Sequence, residues 1–246
     1  MSGHSKWANI KRKKQANDHA RGNVFSKLTR LITLAVVEGG GLTDPEHNIK
    51  LRLAIEKARQ LNMPKENIQR ATERGVGPQK EQLKEVVYEA FLHENVIILI
   101  LATTGNVNRT TAEVKNTLER QGGKLGNQGS VSYQFERCGL VIFKKDGLTE
   151  EEIFEFAGKI NAIDIDQDKY DYYVYIPFNS LGKVKDNLNG LKPESTEVDF
   201  KPKSIVSITN EIKAHKILAI INALESLDDV HKVFGNFDIP DEFLHT

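Results

Sequence analysis

Five cations and one indole ring carry the clearest chemistry in this sequence. Lys6, Lys11, Arg12, Lys13 and Lys14 fall within nine positions, and Trp7, the single tryptophan, lies among them. Arg21, Lys27 and Arg30 follow, so the first thirty residues hold eight Lys or Arg and one acid, Asp18. Four consecutive cations repel one another, and a polyanion relieves that repulsion better than burial does. Single-stranded nucleic acid asks for this pairing: charge for its phosphates and a flat ring for its bases. The plainer alternative is a solvated basic tail whose Trp7 packs back onto the first helix. The continuing basic character of the next fifty residues, with Arg70 and Arg74 near their end, favours nucleic acid,.

Charge is segregated along the chain. Residues 1–80 hold 16 Lys or Arg and 7 Asp or Glu, whereas residues 81–246 hold 18 and 27. The zero formal charge of the whole chain therefore hides a basic end and an acidic remainder,. Phosphates repel the acidic part, which turns the basic part outward and keeps the protein in solution. The acidic part is also where a protein partner or a second copy of the chain would attach.

A chain of 246 residues predicts two or three domains,. Its one cysteine, Cys138, cannot make an internal disulfide, and a reducing, cytoplasmic setting fits,. The longest apolar run, Val96 to Ala102, is seven residues, a buried strand rather than a membrane span,. The basic start lacks the apolar segment of a secretory signal. It could mimic a mitochondrial transit peptide, but Trp7 and the Asn/Gln content weigh against that. No cofactor is expected: the seven histidines include no His-x-x-x-His pair, and no nucleophile motif is present,. Asp164 to Asp168 begins like a calcium loop, but Lys169 and Tyr175 stand where glycine and glutamate are required,.

The basic residues must be positioned by helices. Val24, Leu28, Leu31 and Ala35 recur at helical spacing and end at Gly39-Gly40-Gly41,. Thr43-Asp44-Pro45-Glu46 offers a cap for a second helix striped by Leu51, Ala54, Ile55, Ala58 and Leu61,. A third, short helix is expected from Glu66 to Arg74. The outer face of this bundle would carry Lys57, Arg59, Lys65, Arg70 and Arg74.

From residue 81 the pattern changes. Val86 to Leu92 and Val96 to Ala102 read as a hairpin turning at His93-Glu94-Asn95,. Asn108 to Thr111 would cap a helix, at whose start Arg109 could hold an anion, although simple capping is the commoner role,. The glycine-rich stretch after it precedes a strand, the wrong order for a phosphate cradle, and reads as a crossover. An α/β rhythm follows, with a Thr149/Glu152 capping box, and the chain closes on a helix and a strand over Val230 to Phe237. The expected fold is α+β in three domains. Residues 1–80 form a small helical bundle with a basic arm. Residues 81–130 and 207–246 together form a discontinuous split βαβ, ferredoxin-like domain, into which a similar domain, residues 131–206, is inserted. Two sequential α/β domains are the alternative.

Several short motifs resemble the YebC/PmpR family. They are Gly3-His4-Ser5-Lys6-Trp7-Ala8-Asn9-Ile10-Lys11, Arg21-Gly22, Asn62-Met63-Pro64, Asn67-Ile68, Arg70-Ala71 and Arg74-Gly75. Asn108-Arg109-Thr110, Gly122-Gly123, Leu125-Gly126, Gly129-Ser130-Val131 and Phe135-Glu136 extend the resemblance over essentially the whole chain. It implies a three-domain fold and a non-catalytic, DNA-binding regulator of transcription. The family also includes a mitochondrial activator of cytochrome oxidase translation and ribosome-associated members, which implies ribosomal or messenger RNA as the alternative ligand. A protein–protein scaffold is the third possibility. In any nucleic-acid reading the binding residues expected are Lys6, Trp7, Lys11, Arg12, Lys13, Lys14, Arg21, Lys27, Arg70 and Arg74. One segment departs from the family pattern: Phe91-Leu92-His93-Glu94-Asn95 replaces a glycine-rich loop.

Overall fold

The structure is a computed structural model that describes residues 18–77 and 82–243, the side chains of residues 18–21 and 241 excepted. Phe135–Lys201 forms one compact unit, and the segments on either side of it form the other.

The second of these units opens with α1 (Asp18–Glu38), α2 (Ile49–Gln60) and α3 (Lys65–Arg74). Leu28, Ile32, Ala35 and Val36 of α1 meet Leu51, Ile55 and Ala58 of α2 and Ile68 and Ala71 of α3. Each helix thus buries one apolar stripe, as the spacing requires. The chain leaves α1 through Gly40 and Gly41, both left-handed (φ 69° and 91°), and the Gly41 N–H returns to the Val36 carbonyl at 2.8 Å,. The expected cap at Thr43 is not used. Asp44 instead accepts from the Glu46 N–H at 3.0 Å and bonds His47, closing a turn. The N-cap of α2 is Asn48, whose Oδ1 accepts from the Leu51 N–H at 3.1 Å. Its Nδ2 also donates to the carbonyls of Ala35 and Leu42. One buried amide therefore caps α2 and secures the end of α1, which Thr43 could not do.

The hairpin follows as β1 (Lys84–Phe91) and β2 (Ile97–Thr104), then α4 (Val107–Arg120) and β3 (Lys124–Leu125). The cap of α4 is Asn106, two residues before the expected Asn108; its side chain accepts from the Arg109 N–H at 3.1 Å.

Within the inserted unit the elements are β4 (Phe135–Lys144), α5 (Glu150–Lys159), β5 (Asp164–Gln167), β6 (Asp171–Pro177), α6 (Val184–Asn187) and β7 (Ser195–Pro202). Their sheet order is β5-β6-β4-β7, the interleaved order of a ferredoxin-like sheet,. The Thr149/Glu152 capping box forms as expected. The Asp164 stretch that imitates a calcium loop is an edge strand, Ile165 opposite Val174. Phe143 and Phe156 pack edge to face between sheet and α5, with ring centroids 5.2 Å apart,.

The chain then returns to the first sheet through β8 (Val206–Ser207), α7 (Glu211–Ser226), β9 (Val230–Gly235) and β10 (Phe237–Asp238). The sheet order is β3-β1-β2-β9. The path β2–α4–β3 is a split βαβ unit, with β1 lying between its strands. Tyr88, Ala90, Ile98 and Ile100 share one core with Val114 and Leu118 of α4 and Ile217 and Ile221 of α7. The expected single last strand is broken at Asn236. Its side chain accepts from the Ile97 N–H at 2.8 Å, and beyond it β10 pairs in parallel with β8. Gly235 permits the bend, since a Cβ there would sit 2.5 Å from the Phe237 ring.

Candidate nucleic-acid interface

α1 is the element that carries the basic segment into the fold, and it has two working faces. Leu28, Ile32, Ala35 and Val36 turn towards α2 and α3. Asn23, Lys27, Arg30 and Leu34 recur at four- and three-residue spacing on the opposite side,. The first three of these reach the end of α7. Asn23 Nδ2 donates to the Ser226 carbonyl at 3.2 Å. Lys27 Nζ donates to the Glu225 carbonyl, and Arg30 to the Asp228 carbonyl. Cations at a helix C-terminus meet its negative dipole end and its unpaired carbonyls. Leu34, further along that face, is buried, and α1 lies against β2.

Asp229 is the centre of this junction. Its side chain is 2% exposed, and it holds Arg30 at 2.9 Å and Arg109 at 2.7 Å. Thr110 Oγ1 donates to Asp229 Oδ2 at 2.6 Å and lies 2.8 Å from Thr104 Oγ1. Burial pushes the Asp229 carboxyl up, but the hydrogen bonds from Thr110, Arg109 and Thr104 and the charge of Arg30 outweigh it, leaving the pKa below its ordinary value,. The anion at the start of α4 is thus the chain's own Asp229. Beside it, His231 stays neutral: burial, with Lys57 and Lys27 nearby, pushes its pKa down to about 3. Lys57 is accordingly half-buried, unlike the outward residue its spacing predicts.

The sequence-predicted binding residues separate into three groups. Lys6, Trp7, Lys11, Arg12, Lys13 and Lys14 lie outside the described residues, as does the side chain of Arg21 on the first turn of α1. Lys27 faces α7. Arg70 and Arg74 are exposed, one turn apart on α3; Arg70 bonds Asn67 Oδ1 at 2.6 Å. Arg59 of α2 and Lys65 of α3 are exposed as well. What sequence reasoning missed is the role of Asn23, Arg30 and Asp229. The polar face of α1 was visible in its spacing; its acceptor, about two hundred residues away, was not.

The glycine-rich crossover also folds around an internal anion. Glu89 of β1 accepts N–H groups from Gly129 and Val131, both at 2.6 Å, and from Ser132 at 2.9 Å. Burial raises its carboxyl, and those backbone donors more than reverse the effect, leaving its pKa lowered. The departing hairpin loop turns through two left-handed residues, Glu94 (φ 62°) and Asn95 (φ 60°). Glu94 pairs with Lys213 at 2.9 Å at the rim of a shallow pocket lined by His93, Lys216, Ile217 and Ile220. Among the described residues no group of His, Cys, Asp or Glu could hold a metal ion, and no helix is long and apolar enough to cross a membrane.

The fold and its charge distribution define an α+β protein in which a basic helical bundle precedes a split βαβ domain that carries a ferredoxin-like insertion. Two family models match it: the TACO1/YebC protein N-terminal domain over residues 5–78, and the TACO1/YebC second and third domain over residues 83–237. The chain belongs to the TACO1/YebC family. It is 44% identical over 247 residues to a "Probable transcriptional regulatory protein" of Aquifex aeolicus, covering 99% of this chain and 98% of that one. A similarly named protein of Borreliella burgdorferi is 41% identical over 98% of this chain and 99% of its own. The crystal structure of a conserved hypothetical protein from Aquifex aeolicus superposes with a TM-score of 0.84 at 42% identity, covering 93% of this chain and 95% of that one.

Proposed function

We propose that this protein is a non-catalytic, nucleic-acid-binding regulator of gene expression that grips its ligand with its basic N-terminal segment. The observation that carries this reading is the segregation of charge. Sixteen cations against seven acids occupy residues 1–80, and the remainder is acidic. Exposed Arg59, Lys65, Arg70 and Arg74 extend the basic character onto α2 and α3. The relatives' shared name, "Probable transcriptional regulatory protein", supports duplex DNA as the ligand. Trp7 within the cationic run favours a second reading, single-stranded RNA, because an indole needs a free base face to stack upon.

Salt and one substitution test both readings. If about five arm cations meet phosphates, duplex affinity falls with a log–log salt slope near −4.5, and somewhat less steeply for single strands. A slope near zero would favour a protein scaffold instead. Trp7→Ala costs roughly 1–3 kcal/mol of single-strand affinity if the ring stacks on bases, with little change in melting temperature. A lowered melting temperature with affinity unchanged would make Trp7 a packing residue and remove the RNA reading's support.

A further inference from the structure

We infer that the contact between α1 and the end of α7 is exchangeable: a nucleic-acid backbone takes the Asn23–Lys27–Arg30 face of α1 in place of the α7 carbonyls and Asp229. The inference rests on the nucleic-acid reading above and deepens it by naming what the ligand displaces.

Three features of the junction carry it. The first is chemical likeness. The α1 face presents an amide, an ammonium and a guanidinium, and its present partners are the carbonyls of Glu225, Ser226 and Asp228 and one carboxylate oxygen. Clustered oxygen acceptors with net negative charge are also what consecutive phosphodiesters offer. The second is access: the Arg30 side chain is 28% exposed, so an incoming anion can reach it without the bundle first unfolding. The third is what Arg30 leaves behind. Removing the sole partner of a buried carboxylate strands a charge, and such contacts do not exchange. Asp229 is not in that position. When Arg30 departs it keeps Arg109 at 2.7 Å and Thr110 at 2.6 Å. The α7 carbonyls, at a helix end, return to water as unpaired helix-end groups ordinarily do.

Competition has a measurable sign. Weakening the acceptor side of the junction must raise nucleic-acid affinity, because the ligand and the α7 end then contend less evenly for one face. Asp229→Asn keeps an oxygen for Thr110 and Arg109 but loses the charge that holds Arg30. With a 20-nucleotide oligouridylate as probe, the full-length D229N protein is expected to bind about three- to tenfold tighter than wild type. Arg30→Gln is expected to bind more weakly, with a salt slope smaller by about one. In the wild type, saturation with the same probe should speed deuterium uptake by backbone amides in residues 223–230. Uptake there that stays unchanged or slows at saturation overturns the inference, whether or not D229N folds. So does a D229N protein that melts lower yet binds no tighter. Failure of the wild type to bind either oligouridylate or a 20-base-pair duplex would sink the nucleic-acid reading itself, and this inference with it. Binding without a change at the junction would sink only the exchange.

Discussion

A histidine among lysines has one comfortable charge state. His231 is half-buried, its Nε2 shielded from solvent and Lys27 and Lys57 nearby, and its pKa falls to about 3 from an ordinary value of 6.5. The unfolded chain therefore takes up a proton first as the solution is acidified. Stability contributed by the neutral ring is complete above pH 6.5 and is lost as pH falls from there towards 3. Between pH 6.5 and 5 this one group should remove about 1.6 kcal/mol. Glu89 and Asp229, whose pKa values are lowered, act in the same direction at lower pH. Their contribution is present above the ordinary carboxylate range and disappears as they are protonated in the folded state. His231→Gln should flatten the decline between pH 7 and 5 in urea-unfolding midpoints. An unaltered decline would place its cause at another residue. Little of this could be read beforehand. The sequence shows that Lys27 and Arg30 share a helix face, and it shows His231 and Asp229 two positions apart. Nothing local says that the face and the pair meet, since burial and shared charge arise only when distant segments close.

At the scale of elements, apolar periodicity located the helices and the hairpin, because the side that must be buried writes itself into the spacing. The starts of α2 and α4 lie later and earlier, respectively, than their local cap motifs suggest, for one reason. Thr43 and Asn108 look as much like caps in the sequence as Asn48 and Asn106 do. In the fold the choice falls to the residue whose neighbours need its remaining hydrogen bonds, as Asn48 shows by holding Ala35 and Leu42 as well. The strand β5 was hidden because Asp164-Ile165-Asp166-Gln167 has little strand propensity of its own and is held by its partner β6,. The β1–β2 turn exposes a local conflict of the same kind. Glu94 sits at φ 62°, where a branched or long side chain gains nothing and asparagine is better tolerated,. Its pair with Lys213 is partly exposed and worth little,. Glu94→Asn should therefore stabilise the protein by about 0.5 kcal/mol in thermal unfolding, since relief of the backbone exceeds loss of the pair. A net loss of stability would show that Lys213 contributes more than an exposed ion pair usually does.

For the molecule as a whole, the charge division along the chain is legible by counting, and an α/β segment that interrupts another is the expectation because neither residues 81–130 nor 207–246 could close a core alone. The structure supplies the reason the interruption is tolerated. Gln134 and Lys203, which bracket Phe135–Lys201, are joined by a backbone hydrogen bond of 2.8 Å. A segment whose ends already meet can be removed without stretching what remains. Joining Gln134 to Lys203 through two glycines should leave the cooperative unfolding of the remaining unit intact by circular dichroism. Collapse of that transition would mean that the inserted unit contributes to the core around Tyr88 and Ile100. On the nucleic-acid reading proposed above, the remaining protein keeps the basic segment and should bind the same probe with the affinity of the full chain.

The position of β9 has a consequence for how the protein is born. β2 has β9 as its outer neighbour, yet about 125 residues of chain separate Thr104 from Val230. At roughly 5–20 residues per second, the ribosome leaves that strand edge unpaired for about ten seconds while the whole insertion is made. Throughout this interval the Asp229 to which α1 will fasten does not yet exist. The nascent bundle, the most cationic part of the protein, is therefore made before its anchor and waits undocked beside the RNA of the machine that is making it.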